Sequence, residues 1–165
     1  MIICRYMDKA EKDNCLPLLF DLYYGNMQHI APSGKPYEEE RTCWLSEVSP
    51  ALEKAPRQVI LCLADDQLIG YIQYYTRDKL LMVEEFQISP SYRGTLLFHK
   101  MCKYLGRYLP ADIERIEAYA DIRNCASRSI MRKLGFLEFL EVDCPGFVHL
   151  RADFTKVRRH FTNSR

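Results

Sequence analysis

The chain has 165 residues, 48% of them hydrophobic and 27% charged, with a formal net charge of +1. That length fits one folded domain with a real core, and the longest apolar run, residues 59–64, is far too short to cross a bilayer. A charge balance this close to zero gives no long-range field to recruit nucleic acid or an anionic membrane surface, so neither is expected as a partner.

The first residues lack a charged segment followed by a long apolar stretch, and residues 2–6 read as a strand. Leu16, Leu19, Phe20 and Tyr23 then fall at i, i+3, i+4 and i+7, the stripe of an amphipathic helix, with Gly25 and Asn26 as its stop. Residues 30–36 hold two prolines and a glycine and read as a loop, after which Trp44, Leu45, Val48 and Leu52 mark a second helix ending near Pro56. Residues 59–63 and 68–75 form a hairpin around Asp65 and Asp66, and residues 80–88 add a third strand that stops at Ser89-Pro90. From Arg93 the period lengthens: Leu97, Met101, Tyr104, Leu105 and Tyr108 share one helical face, and Pro110 ends that helix. Residues 113–120 are a strand, Asn124 caps a short helix that stops at Gly135, and residues 136–142 and 147–154 close the order as two strands.

The cysteines at 4, 15, 43, 62, 102, 125 and 144 show no C-x-x-C pair, and His29, His99, His149 and His160 show no ligand spacing, so no metal site is expected. The thiols read as small hydrophobes in a reduced, cytoplasmic protein. Lys156, Arg158, Arg159 and Arg165 read as a solvated basic tail, residues 156–165, behind a domain of residues 1–155.

Asn124-Cys125-Ala126-Ser127-Arg128-Ser129-Ile130-Met131-Arg132-Lys133-Leu134-Gly135-Phe136 resembles the second cofactor-side motif of the GNAT N-acetyltransferase superfamily. There an Asn after a strand opens a short helix ending in Lys-Leu-Gly-Phe. Residues 84–94 similarly look like that family's fourth strand running into its pyrophosphate loop. The resemblance implies an α+β single domain, with a mixed, mostly antiparallel sheet flanked by helices on both faces. It further implies an acyl-CoA-dependent N-acyltransferase, using acetyl-CoA or another acyl-CoA to acylate a primary amine of a small molecule or peptide. A catalytically inactive GNAT-fold interaction module is the alternative.

Site residues follow from the same resemblance. Phe86 and Ile88 are expected to pair with the pantetheine arm. Arg93, Gly94, Thr95, Leu96, Leu97 and Phe98 form the loop and helix start whose amides and dipole suit a pyrophosphate. Asn124 and Ser127 face the arm, Asn124 being equally an N-cap, and Arg128 and Arg132 are further candidates for phosphate contact. The Ile88 amide is expected to hold the oxyanion. Glu84 and Glu85 are the candidate bases; on a regular strand they face opposite sides, and the resemblance favours Glu85. Two departures stand out. Leu96 and Phe98 occupy the family's small loop positions, and Met131 stands where many members carry a tyrosine that protonates the leaving thiolate. Cys125 is a candidate nucleophile, with direct transfer preferred because no histidine lies nearby. Tyr23, Tyr24 and the glutamates 38, 39 and 40 border the expected acceptor side, the glutamates serving equally as an acidic helix start. A homodimer through the last strands is compatible with the sequence, which does not choose between monomer and dimer.

Overall fold

The computed structural model describes residues 1–54, 56–140 and 145–162. The expected end of the sixth strand, at residues 141–142, lies outside them, as do Cys144 and Arg165. Strands β1 (Ile2–Tyr6), β2 (Gln58–Ala64), β3 (Gln67–Arg77), β4 (Leu80–Ile88), β5 (Arg115–Asp121), β6 (Leu137–Leu140) and β7 (Phe147–Asp153) form one sheet in the order β1-β2-β3-β4-β5-β7-β6. Every neighbouring pair is antiparallel except β4 and β5. Two-residue turns at Asp65-Asp66 and Asp78-Lys79 join β2 to β3 and β3 to β4. All four residues have positive φ, the left-handed geometry that matches the twist of a tight hairpin, and aspartate is among the residues that tolerate it.

Helices α1 (Lys12–Ile30) and α2 (Tyr37–Glu53) cover one face, where Leu16, Leu19, Phe20 and Trp44 pack on Val59, Leu61 and Tyr71. Helices α3 (Leu97–Gly106) and α4 (Cys125–Leu134) and the short α5 (Phe154–Val157) lie on the other side. There Leu97, Met101 and Leu105 meet Ile60, Ile72, Leu81 and Ile116 in the larger core. β2 and β3, covered by helices on both faces, are accordingly apolar runs without alternation, Ile60 and Ile72 facing α3 while Leu61 and Tyr71 face α1 and α2.

Three expectations are corrected. α1 does not stop at Gly25-Asn26 but runs to Ile30, because the buried Asn26 side chain bonds to β4 and this tertiary anchoring outweighs its weak helix preference. α3 starts at Leu97, not Arg93, and ends at Gly106 ahead of Pro110; Pro90–Tyr92 is a separate 3₁₀ turn, and Gly94 at φ +73° breaks any continuation. Residues 156–162 are not a solvated tail, since Val157 and Phe161 are buried and the Phe154 and Phe161 rings pack with centroids 5.3 Å apart. The fit there is close enough that a Cβ placed on Gly106 would stand 1.9 Å from the Phe161 carbonyl oxygen.

The all-reduced reading of the cysteines is corrected as well. Cys4 and Cys62 are direct partners in the β1–β2 ladder, their Cα atoms 4.3 Å apart, and their sulfurs are joined as a disulfide. Spacing could not announce this pair, because it is created by strand register across 58 residues. Cys15, Cys43, Cys102 and Cys125 carry free thiols.

Candidate active site

The sheet opens at its one parallel junction. β4 and β5 pair from Leu80↔Arg115 to Val83↔Ala118 and no further, although β4 continues to Ile88 and β5 to Asp121. On its other edge β4 stays paired with β3 to Ile88↔Gly70, and the Ser89 N–H donates to the Ile69 carbonyl at 2.8 Å. Antiparallel residues turn alternately toward and away from the partner strand. With Ser89 bonded to β3, the backbone groups of Ile88 and Phe86 turn into the opening, and the Ile88 carbonyl there accepts from Asn26 and Arg93. An unpaired strand edge carries the donors and acceptors that an extended amide-containing chain can meet.

A β-bulge sets the carboxylates. Gln73 opposes Glu85 and Tyr74 opposes Val83, so Glu84 is the extra residue. The bulge breaks the alternation expected from the sequence and brings both carboxylates to the α1–α2 face. Glu84 accepts from Gln73 at 2.9 Å and from Arg57 Nε at 2.9 and 3.0 Å, a part-buried ion pair that occupies it. Glu85 instead accepts one bond, from Gln87 Nε2 at 2.8 Å. The residue as a whole is partly exposed while its carboxyl is enclosed by protein. Burial therefore pushes that carboxyl up to about 7, the Gln87 hydrogen bond opposing and neighbouring Glu84 adding to the rise. Burial and the charge of Glu85 together push Tyr23 of α1 up to about 12, and they hold fully buried Tyr71 well above its ordinary value. Among the described residues, the buried Tyr71 hydroxyl and Gln73 Oε1 have no hydrogen-bond partner. Buried polar atoms of this kind usually meet water or a ligand.

At the end of β4, Arg93 through Phe98 lead into α3. The Thr95 hydroxyl donates to the Tyr92 carbonyl at 2.7 Å and accepts from the Leu97 N–H at 3.2 Å, which shapes the turn. The following amides stand at a helix start, where no intrahelical acceptor exists and the dipole favours an anion. Of the two large residues in this loop, Leu96 is 78% exposed and projects to solvent, while Phe98 lies on Phe86 with ring centroids 5.0 Å apart.

On the far wall, Asn124 caps α4 by accepting from the Ser127 N–H at 3.0 Å. Arg128 and Arg132 are held by Glu138, and Arg128 also donates to the Ile122 carbonyl, so both cations already have protein partners. Met131 packs against the larger core and Cys125 is exposed. On the α1–α2 face Tyr23 stacks on Trp44, and Tyr24 meets Tyr37 edge-on at 5.0 Å. Glu38, Glu39 and Glu40 form the acidic first turn of α2, paired with Arg41, Lys35 and Ser33. A separate cavity of about 730 Å³ lies on the outer side of β5, β7 and β6, lined by Glu117, Phe139 and Arg151, and none of its walls comes from β4.

Sequence reasoning passed over Asn26, Gln87 and Arg57. The signal for Asn26 was present: it continues the stripe of Leu16, Leu19 and Tyr23, so a polar side chain there had to be buried and bonded.

Solved acetyltransferases share this fold. PaiA N-acetyltransferase from Thermoplasma acidophilum, determined in complex with coenzyme A, superposes with a TM-score of 0.71 at 13% identity over 93% of this chain and 99% of that one. An acetyltransferase from Thermus thermophilus gives 0.69 at 14% identity, over 93% and 97%. The ribosomal-protein-alanine N-acetyltransferase from Brucella melitensis gives 0.60 at 16%, over 92% and 99%. At these identities the likeness is one of fold. The sequence is more particular: the family model described as Acetyltransferase (GNAT) domain matches residues 16–137, and the chain belongs to that family. No curated protein sequence matches the chain.

Proposed function

We propose that this protein transfers an acetyl group from acetyl-CoA to a primary amine on a small molecule or peptide by direct attack, with Glu85 as the base. The observation that carries the reading is the opening between β4 and β5, which leaves Phe86 and Ile88 without a β5 partner beside an enclosed carboxylate. Acetyl-CoA, when bound, supplies the acetyl group as a thioester. The β4 edge at Phe86 and Ile88, free of β5, fits an extended amide-bearing arm, and the amides at the start of α3 other than that of Leu97, with the helix dipole and Arg93, fit its phosphates. Asn124, whose carbonyl oxygen is engaged in its cap, keeps its NH₂ for the same arm, with Ser127 beside it.

An alkyl amine of pKa ~10.4 arrives protonated, and Glu85 receives its proton directly or through water. A base titrating near neutrality suits that task, whereas Glu84, bound to Arg57, does not. The Ile88 N–H donates to the acetyl oxygen as charge develops there. With Met131 in place of an acid, the thiolate takes its proton from solvent, which a thiol of pKa about 8.5 tolerates. The acceptor enters past Tyr23 and Tyr24, whose aromatic faces attract a cationic amine.

Thermal unfolding with and without acetyl-CoA, followed by calorimetric titration and an amine-acceptor screen, tests the reading. Ligand at 100-fold its dissociation constant stabilises by about 2.7 kcal/mol, and at this chain length each kcal/mol moves the midpoint by about 2–4 °C. No shift and a flat titration at millimolar acetyl-CoA would overturn the reading in favour of a GNAT-fold interaction module.

A further inference from the structure

Asn26 is 2% exposed about one turn before the end of α1, and every polar hydrogen of its amide is spoken for. Nδ2 donates to the Ile88 carbonyl at 3.1 Å and to Gln87 Oε1 at 2.9 Å, while Oδ1 accepts from the Arg93 guanidinium. The polarity of this cluster follows from its ends. A backbone carbonyl can only accept and a guanidinium can only donate, so the Asn26 amide has one orientation. With its NH₂ facing Gln87, the Gln87 amide must turn its oxygen to Asn26 and its own NH₂ to Glu85, which it meets at 2.8 Å.

We propose that Asn26 is a positioning residue for Glu85: acting through Gln87 it directs a hydrogen-bond donor at the carboxylate, and through Arg93 it ties that carboxylate to the loop at the start of α3. The catalytic consequence rests on Glu85 being the base, while the relay itself does not. Without the donor, the charged form of Glu85 would lose the bond that offsets burial and the adjacent Glu84. The other groups that face the carboxyl are Tyr71 and Gln73 from β3 and Tyr23 from α1, with Arg57 holding Glu84 from the α2–β2 connection. None of them supplies a second hydrogen bond to Glu85 among the described contacts.

The test is the titration of the Glu85 side-chain carboxyl by ¹³C NMR in the full chain, its signal assigned by its loss in Glu85→Gln. Asn26→Asp presents only acceptors to Gln87, so the Gln87 amide flips and turns its oxygen on Glu85. Gln87→Met removes the donor at similar volume. Each is expected to raise the Glu85 midpoint by about one pH unit, a tenfold gain in proton affinity. In the Gln87→Met background the shift caused by Asn26→Asp is expected to shrink, because the relay is already cut. If Asn26→Asp does not fold, Asn26→Ser takes its place. A midpoint unmoved in folded variants overturns the proposal, as does an Asn26→Asp shift of the same size in both backgrounds. With acceptor in hand, the acid limb of kcat is expected to follow the NMR midpoint. A midpoint that moves while the limb stays supports the relay and removes Glu85 from the role of base.

Discussion

Replacing Glu85 by glutamine is expected to lower activity and raise stability together, with a pH signature that separates charge from shape. Burial lifts this carboxyl from an ordinary 4.5 to about 7. Below the lower value it is protonated in the folded and unfolded chains alike and contributes nothing. Between the two values the unfolded chain has released the proton and the folded chain still holds it, so folding weakens as pH rises. Above about 7 both forms are charged and the penalty is constant. At 1.36 kcal/mol per pH unit the interval amounts to about 3 kcal/mol. Glutamine has the same outline and never ionises, so the variant is expected to exceed the native protein by about 3 kcal/mol at pH 8, or roughly 6–12 °C in midpoint. That advantage should fade to nothing near pH 4.5. Urea denaturation of both proteins at pH 5, 6, 7 and 8 reads the difference directly. An advantage independent of pH, or one that grows toward acid, would refute the account of an enclosed, charge-penalised carboxyl. Activity at pH 8 is expected to fall by about 10²–10⁴-fold, the usual contribution of a general base.

Asn124→Ala removes the cap of α4 and is expected to cost about 1 kcal/mol in chemical denaturation, together with a higher KM for acetyl-CoA at unchanged acceptor KM. Gly106→Ala forces a methyl group onto the Phe161 carbonyl, and a loss of about 1–3 kcal/mol is expected, visible as a lower thermal midpoint. Cys4→Ser opens a cross-link spanning 58 residues; loop-closure entropy puts its worth at about 4 kcal/mol. Denaturation curves of that variant and the native chain should differ without reductant and converge in dithiothreitol.

The sequence disclosed the order of elements because burial leaves a local mark: the 3.6 period of Leu16-Leu19-Tyr23 reflects a helix buried on one face, and the continuous apolar runs of β2 and β3 reflect strands covered on both. It disclosed the end of β4 for a similar reason, since Ser89-Pro90 is a local backbone constraint. What it hid depends on register between distant segments. The bulge at Glu84, the Cys4–Cys62 pair and the contact of Asn26 with β4 exist only once strands and helices have met, and no local pattern encodes which residue will lie opposite which. The buried C-terminal segment was obscured by composition: its cations are exposed while Val157 and Phe161, a turn apart, point inward.

The extra residue in β4 also makes this strand intolerant of changes in length. Deleting one residue between Val83 and Phe86 would restore a regular ladder with β3, and the stretch from there to Ile88 would have to slide by one position or rotate through the sheet. Sliding would exchange the backbone groups that face β3 for those that face the opening, and rotation would carry a carboxylate into the apolar layer beneath α3. Substitutions in this strand can be graded in their effects, but insertions and deletions there are all-or-none for the chemistry, whereas the two-residue turn at Asp78-Lys79 lies outside that constraint.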